Sequence, residues 1–140
     1  MLFRSGFEKL VEYCKIHWRN GHPLIKDPLI RQKLAQMVVD ISVGLRFTKQ
    51  VAWMQAEGRV PNHEASVNKI WGSELLQRIG QHGMQIMGLY GGLEHSSPYA
   101  PANGFFPHEY KHSLASTIGA GSNEIQRNVI AQRGLGMPRG

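Results

Sequence analysis

Apolar residues recur every three or four positions through most of the chain, a period that predicts helices. The first covers residues 2 to 18, with Leu2, Phe3, Phe7, Leu10, Val11, Cys14 and Trp18 on one stripe. No capping signal precedes Leu2, so the chain reads as a piece cut from within a longer helix. Arg19 to Leu24 (RNGHPL) is a turn. Asp27 as N-cap and Pro28 at the first helical position start a second helix, which runs to about Glu57. Leu34, Met37, Val38, Ile41 and Leu45 form its stripe, broadened by Phe47, Val51 and Met54. At roughly 45 Å it is long enough to be the spine of a bundle. Gly44, which costs about 1 kcal/mol against Ala, marks a close helix contact.

After a second turn at residues 58–62, Asn62 is placed to cap a third helix from about His63 to Leu89. Its stripe is Val67, Ile70, Trp71, Leu75, Ile79, Met84 and Met87, and Gly72, Gly80 and Gly83 weaken it unless a partner packs closely. Residues 91–106 are rich in Gly, Ser, Pro and Asn and read as a long loop, the kind that is functional or mobile. Pro107 to about Ser116 predicts one short helix, and no strand pattern of any length is present. The expected fold is all-α: an antiparallel bundle of three long helices with short C-terminal ones, in one domain spanning residues 1–140.

Composition narrows the function classes. Hydrophobic residues make up 41% of the chain, ordinary for a globular protein, and no apolar run approaches the roughly 20 residues that span a membrane. A single cysteine, Cys14, excludes an internal disulfide and a cysteine metal site, and fits a reducing, cytoplasmic setting. The net charge of +6 comes from scattered cations without a dense run, so solvated helix faces explain it better than nucleic-acid binding. The same charge suits phosphate-bearing ligands. Glu8 and Glu12 stand one turn apart, but Lys9 and Lys15 beside them make an exposed charged face rather than an acid–base pair. His108 and His112 have metal-ligand spacing, yet Lys111 sits between them and no third ligand is evident, so no metal is expected.

The most informative stretch is Thr117 to Arg139, TIGAGSNEIQRNVIAQRGLGMPR. Gly119 and Gly121 permit backbone angles closed to other residues, and Ser122 is a good N-cap. Ile125, Val129 and Ile130 form an apolar stripe; Gly134 is placed to end the helix in a left-handed turn, and Pro138 prevents resumption. A flexible loop entering a helix N-terminus suits a polar or anionic group.

This stretch resembles the C-terminal signature of acyl-CoA dehydrogenases, close to G-G-T-S-E-I-Q-R-N. Gln85 to Leu89 (QIMGL) is similar to the family's Q-I-x-G-G. The resemblance implies that Gly121, Ser122 and Glu124 contact flavin, and that Gln85, Gly88 and Leu89 meet the adenylate side of FAD across a dimer interface. Leu89 replaces the second glycine, where a larger side chain could crowd the ligand. It further implies an arginine in the turn between the first two helices, reaching the FAD pyrophosphate of a neighbouring subunit. Arg19 is its equivalent by position, while an ungapped alignment on Gly21 and Pro23 places His17 there.

The resemblance leaves the catalytic position empty. Ala120 stands where one branch of the family carries its catalytic Glu; in another branch the base would fall before Met1. No catalytic residue is therefore assigned, and Glu124 belongs to the flavin-side motif. The implied whole is a larger flavoprotein of lipid degradation, with N-terminal helical and β-barrel domains absent from this chain. Its partners would be an acyl-CoA substrate and a same-family subunit. In that reading this chain supplies flavin contacts and the oligomer interface, and is inactive alone. A second reading is a non-catalytic dehydrogenase-like module acting as a structural partner subunit. A basic nucleic-acid binder is a weaker third.

Overall fold

The computed structural model describes residues 2–139; the side chain of Leu2, placed above in the first stripe, lies outside the described residues. Five helices carry the fold: α1 (Leu2–Ile16), α2 (Pro28–Ala56), α3 (His63–Met87), α4 (Phe105–Ile118) and α5 (Asn123–Val129). α3 is the hub, packed against each of the other four helices. The all-α bundle expected from the period is what the chain forms.

α1 buries Leu10 and Cys14 completely and stops at Ile16, two residues earlier than the period suggests. Trp18 is not on the core stripe. It begins a two-residue ribbon, β1 (Trp18–Arg19) paired antiparallel with β2 (His22–Pro23) in the register Trp18↔Pro23, Arg19↔His22. This corrects the expectation of no strand. The cause is the Asn20-Gly21 pair, whose φ values of 53° and 82° match a hairpin turn needing two left-handed residues. The turn holds Arg19 beside the end of α3.

α2 starts as its sequence predicts: the Asp27 carboxylate accepts from the N–H of Leu29 (2.8 Å) and Ile30 (3.2 Å), with Pro28 at the first position. Only a narrow stripe is buried, namely Ile30, Leu34, Met37, Ile41 and Met54, while Val38 and Leu45 face outward. Gly44 meets the Trp71 ring, where a Cβ would lie 3.1 Å from Cδ1, and the Trp71 indole N–H donates to Asp40 O (2.9 Å).

α3 begins without the expected Asn62 side-chain cap. The Asn62 amide oxygen instead accepts from Arg133 Nη1 (2.9 Å), and the Glu64 carboxylate accepts the Asn62 N–H (3.1 Å). The helix ends at Met87, two residues short of Leu89, in a left-handed Gly88 (φ 64°). Its buried face is Leu75, Leu76, Ile79, Ile86 and Met87, whereas Val67, Ile70, Trp71 and Met84 are half-buried. Glycine lets α4 approach: a Cβ on Gly83 would lie 2.1 Å from the fully buried Phe106 ring, and one on Gly80 2.9 Å from Tyr110 N. α4 starts two residues earlier than predicted, at Phe105, because Phe106 is the side chain that fills the space Gly83 leaves. The preceding loop is ordered by 3₁₀ turns at Gly88–Gly92 and Pro101–Gly104.

α5 departs most from its sequence pattern. Ile125 is exposed, Val129 and Ile130 are half-buried, and the buried residue is the polar Asn123. After Val129 the chain forms a π turn, Ile130–Gly134. The left-handed residue is Gly136 (φ 68°) rather than Gly134, which instead lies against His63, where an added Cβ would be 3.1 Å from Cγ.

Candidate functional site

The residues singled out in the sequence fall into two clusters, at different levels of α3. The first sits at its C-terminal end. Arg19 Nη2 donates to Ile86 O (2.9 Å), carrying the guanidinium to within 3.9 Å of where a Gly88 Cβ would lie. Gln85 projects from the same end and accepts from Lys33 Nζ (2.8 Å). Arg19 and the Gln85–Gly88 stretch, 67 residues apart in sequence, therefore share one surface. One of the five guanidinium N–H groups is used there, leaving donors free for an anionic oxygen.

His17, the alternative equivalent, is held elsewhere. Its ring stacks on Tyr13 at 3.8 Å between centroids, and Nδ1 donates to Tyr13 O (2.9 Å). It lines an 860 Å³ groove with Tyr13, Tyr90, Tyr99 and Pro101. Leu89 is 99% exposed and crowds nothing within the chain. Beside this end, burial holds His82 below the usual imidazole range, and Lys33 and Arg78 add to that effect.

The second cluster is the loop from Gly119 to Ser122 and the start of α5. The expected special angles at Gly119 are not there: its φ is −61°, an ordinary value. The left-handed residues are Ala120 (φ 55°) and Gly121 (φ 85°). Strain at a non-glycine such as Ala120 persists only where surrounding contacts fix it. Ser122 caps as predicted, its Oγ accepting from Ile125 N (3.4 Å), and its carbonyl accepts from Gln126 N (2.9 Å). Glu124 is exposed; its own backbone N–H first, and then the Ser122 hydroxyl, hold its carboxyl below the usual carboxylate range. That shift makes the Glu124 carboxylate a weaker base than a free one.

The partners that fix this loop were missed in the sequence. Lys69 Nζ donates to Thr117 O (3.2 Å) and to Asn123 Oδ1 (2.7 Å). Asn123 also bonds Ser73 Oγ (3.2 Å) and donates to Glu74 Oε1 (3.4 Å), which accepts from Arg127 Nη2 (2.6 Å). Gln126 Nε2 donates to Ala120 O (3.2 Å). A legible signal existed: Lys69 and Ser73 lie one turn apart on a helix otherwise read for its apolar stripe. The loop's inner side opens on a 510 Å³ cleft with an apolar wall of Phe3, Leu76 and Ala120.

Arg19 bonds the carbonyl of Ile86, and Asn123 bonds Ser73, thirteen residues earlier on α3. That separation is about 20 Å along the helix axis, with the two positions on different sides. No single compact group touches both clusters. Among the described residues no set of three His, Cys, Asp or Glu side chains could hold a metal, and no helix is long and apolar enough to cross a membrane. The His108 and His112 rings stack at 6.2 Å.

Comparison with known proteins gives this geometry a family. The model of the acyl-CoA dehydrogenase C-terminal domain matches residues 1–135. The acyl-CoA dehydrogenase IpdE1 of Mycolicibacterium smegmatis is 34% identical over 116 residues, which are 81% of this chain and 26% of that protein. Butyryl-CoA dehydrogenase from Megasphaera elsdenii superposes with a TM-score of 0.81 at 26% identity, covering 96% of this chain and 33% of the other. The ChsE4–ChsE5 complex from Mycobacterium tuberculosis has the same fold, with a TM-score of 0.92 at 24% identity over 99% of this chain and 36% of that one. An FAD complex of PigA also shares the fold (TM-score 0.84, 19% identity, 96% of this chain and 33% of that one). The chain thus spans about a quarter to a third of the proteins it matches. A matching model over nearly its whole length, and a hub helix with both signature stretches against it, make this chain a member of the acyl-CoA dehydrogenase C-terminal domain family.

Proposed function

We propose that this chain is the C-terminal helical domain of an FAD-dependent acyl-CoA dehydrogenase, supplying half of the cofactor's cradle and part of a subunit interface. The observation that carries the reading is the Arg19 contact. A guanidinium with free donors lies beside Gly88, on the surface where the signature stretch Gln85 to Leu89 ends α3. The donor set suits a diphosphate: Arg19 for the anionic oxygens, Lys33 nearby for charge, and the Gln85 amide for a neutral polar group. At the other cluster, Gly121, Ser122 and Glu124 are the residues that would meet the flavin. When bound, FAD accepts the hydride from the acyl β-carbon.

The two clusters' separation supports cofactors shared between subunits of the same family, each chain giving Arg19, Gln85, Gly88 and Leu89 to one FAD and Ser122 and Glu124 to another. The substrate class is an acyl-CoA thioester, and a cytoplasmic setting goes with it. Proton abstraction is assigned to no residue of this chain, because Ala120 has no proton-accepting group. Alanine at that position also favours a second reading, a non-catalytic subunit paired with an active relative.

In the full-length protein, Arg19→Ala is expected to lower FAD occupancy while His17→Ala retains it, read as the flavin-to-protein absorbance ratio after gel filtration. Flavin content unchanged in Arg19→Ala would overturn the assignment. A full-length protein that never binds flavin would favour the second reading.

A further inference from the structure

We infer that Lys69 is a positioning residue: its ammonium locks the Gly119–Ser122 loop into its left-handed conformation. The inference deepens the reading above and rests on it only for what the loop faces. Lys69 is half-buried on α3, and its side chain reaches both ends of the loop, Thr117 O on the α4 side (3.2 Å) and Asn123 Oδ1 on the α5 side (2.7 Å). Asn123 is 4% exposed and is itself tied to Ser73 and Glu74, so the far end of the clamp cannot drift. Between the two anchors lie Ala120 and Gly121, consecutive residues with φ of 55° and 85°. Alanine in that region is strained, and the bonds made by residues 119–121 themselves, Gly119 N to Ala115 O and Gln126 Nε2 to Ala120 O, each tie the loop to one flanking helix only. Anchoring both loop ends by one charged donor is what holds the strained turn. Hydrogen bonds to a charged group are about twice as strong as neutral ones, which suits Lys69 better than a neutral donor for this task.

Lys69 also lines the 510 Å³ cleft with Gly119 and Ala120, so a shift of its side chain would move the cleft wall and the Ser122 hydroxyl together. Its charge helps to hold Glu124 ionised. In this account the loop's shape is imposed from α3, 50 residues away in sequence, and does not belong to the glycine-rich motif alone.

The test is amide hydrogen exchange on the 140-residue chain, comparing Lys69→Met with the parent. The amides that flank the loop are those of Gly119, bonded to Ala115 O at the end of α4, and of Ile125 and Gln126, bonded to Ser122 in the first turn of α5; that of Leu24, bonded to His17 O, reports on the opposite end. Exchange at the three loop amides is expected to quicken by roughly tenfold or more, with Leu24 unchanged. Unaltered protection at the loop amides would overturn the inference. If Lys69→Met does not fold, Lys69→Gln, which keeps a donor without the charge, carries the same prediction at smaller size. In the FAD-loaded full-length protein, Lys69→Met is expected to shift the flavin's visible absorption and its midpoint potential. Faster loop exchange with an unmoved flavin spectrum would leave the clamp standing and remove Ser122 from the proposed flavin contacts.

Discussion

The two sides of α3 are built by opposite means. Toward α4 the contact is apolar and depends on side chains that are missing: Gly83 and Gly80 let the Phe106 ring and the Tyr110 backbone close against the helix. Toward α5 the contact is polar, and depends on Lys69, Ser73 and Glu74 meeting Asn123 and Arg127. The first arrangement gives a close-packed and unyielding core, because protein interiors leave no room for an added methyl. The second gives directional bonds that fix a loop's shape, because each donor accepts only a narrow range of partner positions. Stability is invested in the α4 side and geometry at the candidate site in the α5 side.

The largest effect expected from this contrast is on the α4 side. Gly83→Ala would set a Cβ 2.1 Å from a ring that is fully buried, and overpacking of this kind is expected to destabilise the chain by about 3 kcal/mol in urea unfolding. A loss below about 1 kcal/mol would mean that the helices slide apart cheaply. On the α5 side, Asn123→Ala takes one of the two acceptors of Lys69, leaving Thr117 O, and removes the bonds to Ser73 and Glu74. The expected loss is about 1 to 2 kcal/mol. Because the two sites occupy different sides of α3, the double variant should equal the sum of the singles within about 0.5 kcal/mol. Marked non-additivity would show the two interfaces to be one cooperative unit.

A smaller effect comes from Cys14. Burial pushes its thiol up to about 11 from an ordinary 9.0. The unfolded thiol ionises first, so the stability this residue contributes is present below pH 9 and is lost as pH rises towards 11. Unfolding curves across that interval, compared with Cys14→Ala, should show a steeper alkaline decline for the parent. Parallel curves would count against it.

Much of the fold was legible because its signals are local. The Asp27-Pro28 start, the length of α2 and the Ser122 cap each depend on a few neighbouring residues, and all are where the period and the capping chemistry put them. The resemblance in residues 117–139 also identified the correct family. What escaped was set by contacts distant in sequence. Asn62 looks like a cap, but Arg133 takes its amide oxygen. Val38 and Leu45 look like core, yet both are exposed. The α5 stripe of Ile125, Val129 and Ile130 looked like the docking face, whereas Asn123 does the docking, and its partners lie 49 to 54 residues away. The ribbon at Asn20-Gly21 was a missed local signal, since Asn-Gly favours a tight hairpin.

The separation of the two clusters along α3 yields the most direct test of the central claim, that each cofactor is held by two chains. Full-length Arg19→Ala and Ser122→Ala subunits would be co-expressed with different tags, and the mixed assembly purified for its flavin content. If Arg19 of one subunit and Ser122 of another serve the same FAD, each mixed pair has one intact site, and occupancy rises above that of either variant alone. Occupancy no higher in the mixed pair than in the separate variants would place both residues at one site within one chain, and would contradict the account.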